Sequence, residues 1–296
     1  MKNRITAALM LGLILPWTGN SYSQVSEDIV LSDTVNQKNF VTPTPEQVSE
    51  LESMFAGWLN PESSQRGGAA DRSLALGFDV QTNDAGTAFL ADNKNRGWGY
   101  YRFRSAPANS LVIQAPHQFF DRHTGAIARS LFEQAEVKAL ALNSTHRYSD
   151  RREGTAPSDL SHIPFSPLNA LTRAIALSMP DAHIVQLHGY SADKRKTSAA
   201  RNSDIIISSG PSAPQPRMLE LADCLEASTP WQVKWFPGQV SELGGTRNFQ
   251  GRLVHALGMP IFTHLELSRD VRDSLISDSQ ALSRFARCFG DSGKNL

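Results

Sequence analysis

The stretch LVIQAPHQFFDRHTG, residues 111–125, decides the fold. Its apolar opening, Leu111, Val112 and Ile113, reads as a buried strand that stops at Ala115-Pro116, because proline has no N–H to give to a sheet ladder. His117 and Asp121 follow at once. From Thr124-Gly125 onward Ile127, Leu131, Phe132 and Ala135 recur at helical spacing, so the polar residues sit in a strand-to-helix loop. That is where α/β proteins place their chemistry. An imidazole and a carboxylate four residues apart in such a loop can turn toward one cation. A third ligand and a base must then come from elsewhere in the chain.

Downstream, 138–142 reads as a short strand and 143–157 as a polar, arginine-bearing loop with no readable function. A helical run (Leu168, Leu171, Ile175, Leu177) ends at Pro180, and the strand AHIVQL, 182–187, delivers His188-Gly189 to the sheet end that carries His117. His188 is the third ligand candidate. Residues 191–203 are basic and flexible in composition, and Lys194-Arg195-Lys196 reads as a solvated loop or as a lid over an anionic substrate. The pattern then predicts a buried strand at 204–207, a helix at 218–227, a strand at 231–236 and a short segment at 249–257. PIFTHLEL, 260–267, alternates as a strand with Glu266, Ser268, Arg269 and Arg272 at its end, and 277–289 reads as a closing helix. Upstream lie a helical pattern over Pro45–Leu59, a glycine-bearing loop at 63–70, and strands at 74–80, 87–90 and 99–104 that read as the edge of the same sheet. Alternating strands and helices make this an α/β chain with a single open mixed sheet flanked by helices.

Residues 1–23 carry Lys2 and Arg4, an apolar run over 5–17 and the small-residue site Ser21-Tyr22-Ser23. The run is shorter than the roughly 20 residues that span a bilayer, so it reads as a signal peptide and the protein as exported, periplasmic or secreted. The organisation expected is a signal peptide over 1–23, a lead-in and helix over 24–70, and an α/β metallohydrolase domain over 71–296 with edge strands at its start. Losing Lys2 and Arg4 takes the formal net charge from zero to about −2, which offers nucleic acid or anionic lipid no electrostatic attraction. No later run is long and apolar enough to span a membrane. In an oxidising compartment the two cysteines, Cys224 and Cys288, would pair in a disulfide.

His117, Asp121 and His188 together form the His/carboxylate set that holds a catalytic zinc and leaves a position for water. Glu266, at a strand end among polar residues, is the candidate base, and Arg269 and Arg272 are candidate anion partners. Each has a bland alternative: His117 as a core or capping histidine, Asp121 as a helix N-cap, and His123 as a competing ligand. His183 reads as structural. The chain has no Gly-x-Ser-x-Gly elbow and no phosphate-cradling glycine loop.

PHQFFDRHTG, then QLHG, then NFQGR, then HLELSRDVR resemble, in order, the motifs of the zinc carboxypeptidase-like amidohydrolases, in the branch of poly-γ-glutamate hydrolases and N-formylglutamate amidohydrolases. The resemblance spans 111–272. It implies a zinc carboxypeptidase-like fold, one zinc held by His117, Asp121 and His188, and Glu266 as general base. Asp121 matches the family's acidic residue three before a threonine, here Thr124, although poly-γ-glutamate hydrolases have glutamate there. It also implies that Asn248 and Arg252 hold a substrate carboxylate, and that the substrate is a small peptide or acyl-amino acid cleaved at an amide beside that carboxylate. A non-catalytic peptide- or carboxylate-binding protein on the same fold is the rival, and the presence of Glu266 speaks against it.

Overall fold

Thr44 starts the first helix, α1 (Pro45–Leu59): its hydroxyl accepts the Gln47 N–H, the Gln47 side chain accepts the Thr44 N–H, and Pro45 occupies the first turn. The segment 63–70, expected as loop, is instead the first part of α2 (Ser63–Ala75). Gly67-Gly68 lower helix propensity without deciding it, since Ala69 is fully buried and Ser73 accepts the Trp58 indole N–H at 3.0 Å. The helix runs on into residues expected to begin a strand. That strand starts only after Gly77, whose φ of 79° makes the turn.

The computed structural model describes residues 35–60, 63–105, 109–149 and 158–290, so the segment read as a signal peptide lies outside the described residues. After α2 come β1 (Phe78–Thr82), β2 (Ala88–Asp92), β3 (Tyr100–Phe103), β4 (Leu111–Ala115), α3 (Thr124–Gln134) and β5 (Ala139–Leu142). Next are α4 (Pro167–Ser178), β6 (His183–Gly189), α5 (Ser198–Arg201), β7 (Ile205–Ser208), α6 (Pro216–Ser228) and β8 (Val233–Trp235). The last elements are α7 (Phe249–Ala256), β9 (Phe262–Leu267), α8 (Arg269–Ser277) and α9 (Ser279–Gly290). The single closing helix expected at 277–289 is therefore preceded by a second one. Ser268 caps α8 through the Val271 N–H, and the extended backbone of Asp278 separates it from α9.

The strands form one open mixed sheet in the order β1-β2-β3-β5-β4-β6-β9-β7-β8. The central strands β5, β4, β6 and β9 run parallel. β1, β2 and β3 join as an antiparallel edge, and β7 pairs antiparallel with β9 on the other side. This is the open, helix-flanked α/β sheet expected from the sequence. From β4 the chain turns to β5 on one side while β6 lies on the other, so a crevice opens beyond the carboxyl ends of β4 and β6.

Strand alternation divides the core between two layers of helices. Ile113, Val185 and Leu265 pack with residues of α3, α6, α8 and α9, whereas Val112, Ile184 and Phe262 pack with residues of α1, α4 and α7. The same parity places Gln114, Gln186, His188, His264 and Glu266 on the second face, with Gln114 beside Gln186, Gln186 beside His264, and His188 beside Glu266. Cys224 of α6 and Cys288 of α9 are joined in the expected disulfide. No helix of the described residues is long and apolar enough to cross a membrane.

Ile113 is fully buried at the centre of the sheet and Ile276 is 45% exposed. Ile113→Ala should therefore cost about 2–5 kcal/mol in urea unfolding, and Ile276→Ala should stay within about 0.5 kcal/mol of the parent. Equal losses would contradict this placement of β4.

Candidate metal centre

Beyond β4 the chain closes a tight turn in which the His117 carbonyl accepts the N–H groups of Phe120 at 2.8 Å and Asp121 at 2.7 Å. The Asp121 carbonyl in turn accepts the Thr124 hydroxyl at 2.8 Å. The turn brings His117 Nδ1 to 3.4 Å from Asp121 Oδ2. His188, from the end of β6, completes a triangle: its Nδ1 lies 3.1 Å from His117 Nδ1 and 3.5 Å from Asp121 Oδ2. All three side chains are buried.

The hydrogen bonds around the triangle determine which ring nitrogens are bare. His117 Nε2 donates to Asp159 Oδ1 at 2.8 Å, and Arg147 Nη1 donates to His117 Nδ1 at 3.1 Å; arginine can only donate, so that Nδ1 presents a lone pair. For His188 the direction is set at a distance, by backbone carbonyls. Asn169 Nδ2 donates to the carbonyls of Ile163 and Pro164, which leaves Asn169 Oδ1 to accept from Gln250 Nε2. Gln250 Oε1 then accepts from Gln186 Nε2, and Gln186 Oε1 accepts from His188 Nε2 at 2.8 Å. Asn248 agrees, since its Oδ1 accepts the Gly251 N–H and its Nδ2 must donate to Gln186 Oε1. His188 Nδ1 is therefore bare as well.

Two lone pairs and a carboxylate oxygen thus converge with edges of 3.1, 3.4 and 3.5 Å. A tetrahedral zinc with bonds of about 2.0–2.1 Å spaces its ligands about 3.3 Å apart, so the donor triangle fits such an ion in both size and chemistry. Asp159 and Gln186 are the outer partners that fix ring tautomers in metal sites. Binding an ion would displace one bond, from Arg147 to His117, while Arg147 keeps its short contact to Asp159.

Glu266 sits beside the triangle on β9. Its Oε1 is 3.8 Å from His264 Nε2, and its buried Oε2 has no hydrogen-bond partner among the described residues. His264 stacks on the His188 ring at 4.4 Å between centroids. Asp121, His188 and Glu266 open onto one cavity of about 410 Å³. Burial, and then the Asp121 charge, push the Glu266 carboxyl up to about 8. Burial also raises Asp121, but His117 and His188, where their rings carry the extra proton, outweigh it and hold that carboxyl well below its usual range. His188 is pushed down to about 4, mainly by burial. For His117 burial acts downward too, yet Asp121 and Asp159 together raise it. A bound cation would counter the Asp121 charge at Glu266.

The structure brings His117, Asp121, His188 and Glu266 together. His123 lies outside the triangle, with its Nε2 3.3 Å from Asp273, and His183 is a core histidine bonded to Thr263 at 2.8 Å. Asn248 stands behind the site as the N-cap of α7 and a donor to Gln186. Arg252 is exposed on α7 and does not line the cavity, whereas Arg269 and Arg272 do. Sequence reasoning missed Asp159, Arg147 and Gln186, and found His264 only as a further candidate histidine without motif support. For Gln186 and His264 a signal existed, because each precedes a site residue by two positions on an alternating strand.

Fold and site together define an α/β protein with a buried His–Asp–His donor triangle and an adjacent carboxyl at the carboxyl edge of its sheet. No family model matches the sequence, and no curated protein matches it. Among solved structures it is similar to an N-formylglutamate amidohydrolase from Ralstonia eutropha, at 14% identity over 64% of this chain and 97% of that one, TM-score 0.41. It is also similar to a bacteriophage poly-γ-glutamate hydrolase, at 14% identity over 62% and 82%, TM-score 0.38. A succinylglutamate desuccinylase from Vibrio parahaemolyticus matches at 12% identity over 76% and 82%, TM-score 0.44. The first two bear the names of the groups that the sequence motifs resemble. Likenesses this distant carry no chemistry to this chain.

Two outcomes are expected of metal-free protein titrated with zinc by calorimetry. Protonated His117 cannot ligate, and its pKa is raised; uptake should therefore release a proton and weaken as pH falls through and below the imidazole range. An affinity that does not change with pH would contradict the assignment. Gln186→Leu and Asp159→Asn should each lower zinc affinity about 10- to 100-fold. Unchanged affinity in both would remove their orienting role.

Proposed function

We propose that the protein is an exported, zinc-dependent hydrolase that cleaves an amide bond beside a carboxylate, in a peptide, an N-acyl-amino acid or a glutamyl amide. The observation that carries this reading is Glu266, a buried carboxyl with an unpartnered oxygen that opens onto the same cavity as the donor triangle. A site that only bound a ligand would have no use for such a group. Export is supported by the character of residues 1–23, and the disulfide is compatible with an oxidising compartment.

The roles follow from the chain's own atoms. His117, Asp121 and His188 hold the ion, and Asp159 and Gln186 keep the two imidazoles turned toward it. When bound, zinc lowers the pKa of a coordinated water to about 7 and polarises a carbonyl. Glu266, raised to about 8 by burial and then by the Asp121 charge, must be ionised to act, which the charge of the ion would favour; it then accepts the proton of the attacking water and returns it to the leaving amine.

The test is a panel of N-acyl-amino acids and short peptides offered to zinc-loaded protein. Hydrolysis should fall at least about 100-fold in Glu266→Gln with the zinc retained, and His188→Ala should lose both zinc and activity. A wild-type protein that holds zinc, binds such compounds and cleaves none of them would instead be a binding protein.

A further inference from the structure

Residues 35–41 lie ahead of α1, outside the stretch that carries the donors, yet their bonds reach the loop that serves the donor triangle. The Tyr100 hydroxyl donates to the Val35 carbonyl at 2.9 Å, the Trp98 indole N–H donates to the Val41 carbonyl at 2.7 Å, and the Val41 N–H donates to the Arg96 carbonyl at 2.8 Å. The segment is thus a strap fastened at both ends. Between the ties it presses on the turn before β3, where a Cβ at Gly97 would come within 2.6 Å of the Asn39 carbonyl oxygen. Gln37 is its buried midpoint. Main-chain groups orient the amide, since its Nε2 donates to the Asp92 carbonyl at 3.0 Å and its Oε1 accepts the Gly97 N–H at 2.8 Å. The same Oε1 accepts the Ser144 hydroxyl at 3.1 Å. The Gln37 main chain adds a parallel bridge to Thr145: its N–H donates to the Ser144 carbonyl at 2.6 Å, and its carbonyl accepts the Thr145 hydroxyl at 2.8 Å.

One residue thereby holds the start of the loop that leaves β5, and that loop, 143–149, ties together the parts of the metal centre around His117. The Asn143 carbonyl accepts Gln118 Nε2 from the turn between His117 and Asp121. The His146 carbonyl accepts the Ser158 hydroxyl at 3.0 Å, next to Asp159. Arg147, which follows Thr145 by two positions, donates to Asp159 and to His117 Nδ1. Asp159 is the carboxylate that takes the His117 Nε2 proton and so leaves Nδ1 bare for an ion. Arginine has many rotamers to give up when its fork is fixed on a carboxylate, and anchoring the backbone that bears it lowers that entropy cost.

We propose that Gln37 is a positioning residue of the metal centre, acting through Ser144 and Thr145 to hold Arg147 against Asp159 and thereby His117 in the orientation that receives an ion. The segment ahead of α1 is then part of the site and not only a lead-in to the domain. This rests on the metal centre and not on hydrolysis. The test is zinc affinity by calorimetry on the full chain, in wild type, Gln37→Ala, Thr145→Val, Arg147→Ala and the double variant of Gln37→Ala with Arg147→Ala, with thermal unfolding recorded on each. Thr44→Ala is the control, because it removes the cap of α1 and costs stability without touching loop 143–149.

Gln37→Ala should weaken zinc about 3- to 30-fold. Thr145→Val, which removes a single bond to Gln37 and nearly keeps the side chain's shape, should shift affinity the same way by less. Thr44→Ala should bind zinc as wild type does. In the Arg147→Ala background Gln37→Ala should have little further effect, a non-additivity that a general loss of stability does not produce. Should Gln37→Ala fail to fold, Thr145→Val carries the same cycle. Unchanged affinity in both Gln37→Ala and Thr145→Val, an equal loss in Thr44→Ala, or the same effect with and without Arg147 would each overturn the proposal, as would a wild type that takes up no zinc. Zinc affinity that follows Gln37 in a protein that cleaves no amide would support the strap's role while removing the hydrolase reading.

Discussion

Two imidazole lone pairs and a carboxylate oxygen, all on buried side chains, face one another within 3.5 Å. Three acceptors at that spacing repel, and burial weakens the screening that bulk water would give them. Only a cation at their centre or a proton shared among them relieves the conflict, and in the structure Arg147 donates into its edge. The neighbouring features answer to this constraint. β4 and β6 must be adjacent for His117 and His188 to meet, and the turn after Pro116 must fold back for Asp121 to join them.

The amide network under the sheet is the second consequence. A histidine with a free choice of tautomer would present N–H or lone pair according to its surroundings, and the triangle needs the lone pair. The network from the carbonyls of Ile163, Pro164 and Leu160 through Asn169, Gln250 and Gln186 removes the choice. Such a buried network is favourable only when every member is satisfied. Gln114 completes it on the other side, accepting from Gln186 and donating to Thr172, whose hydroxyl donates to the Leu168 carbonyl. This polar face replaces apolar packing with orientation at the strand ends that carry the chemistry.

Much of this was legible in the sequence, for a physical reason. An apolar run that ends at proline, followed by His117, marks a strand end, and so does AHIVQL before His188, so parallel pairing alone brings the two together. Glu266 was readable in the same way. The helix over Ser63–Ala75 was not, because Gly67-Gly68 has the composition of a loop and only the packing of Ala69 and Ser73 against α1 makes it helical. Asp159 and Arg147 were not readable either. They lie on loops far from the donors in sequence, and nothing local tells which loop returns to the crevice. Gln186 and His264 stood in plain alternation with His188 and Glu266, but a polar residue in a strand does not say whether its face is solvent or site.

The most direct measurement is the zinc content of the protein after incubation with zinc and removal of the excess, in wild type beside His117→Ala, Asp121→Ala, His188→Ala and Glu266→Ala. About one zinc per wild-type chain is expected, with its loss in the three triangle variants and its retention in Glu266→Ala. A wild type that binds no zinc, or a triangle variant that binds as much as wild type, would contradict it.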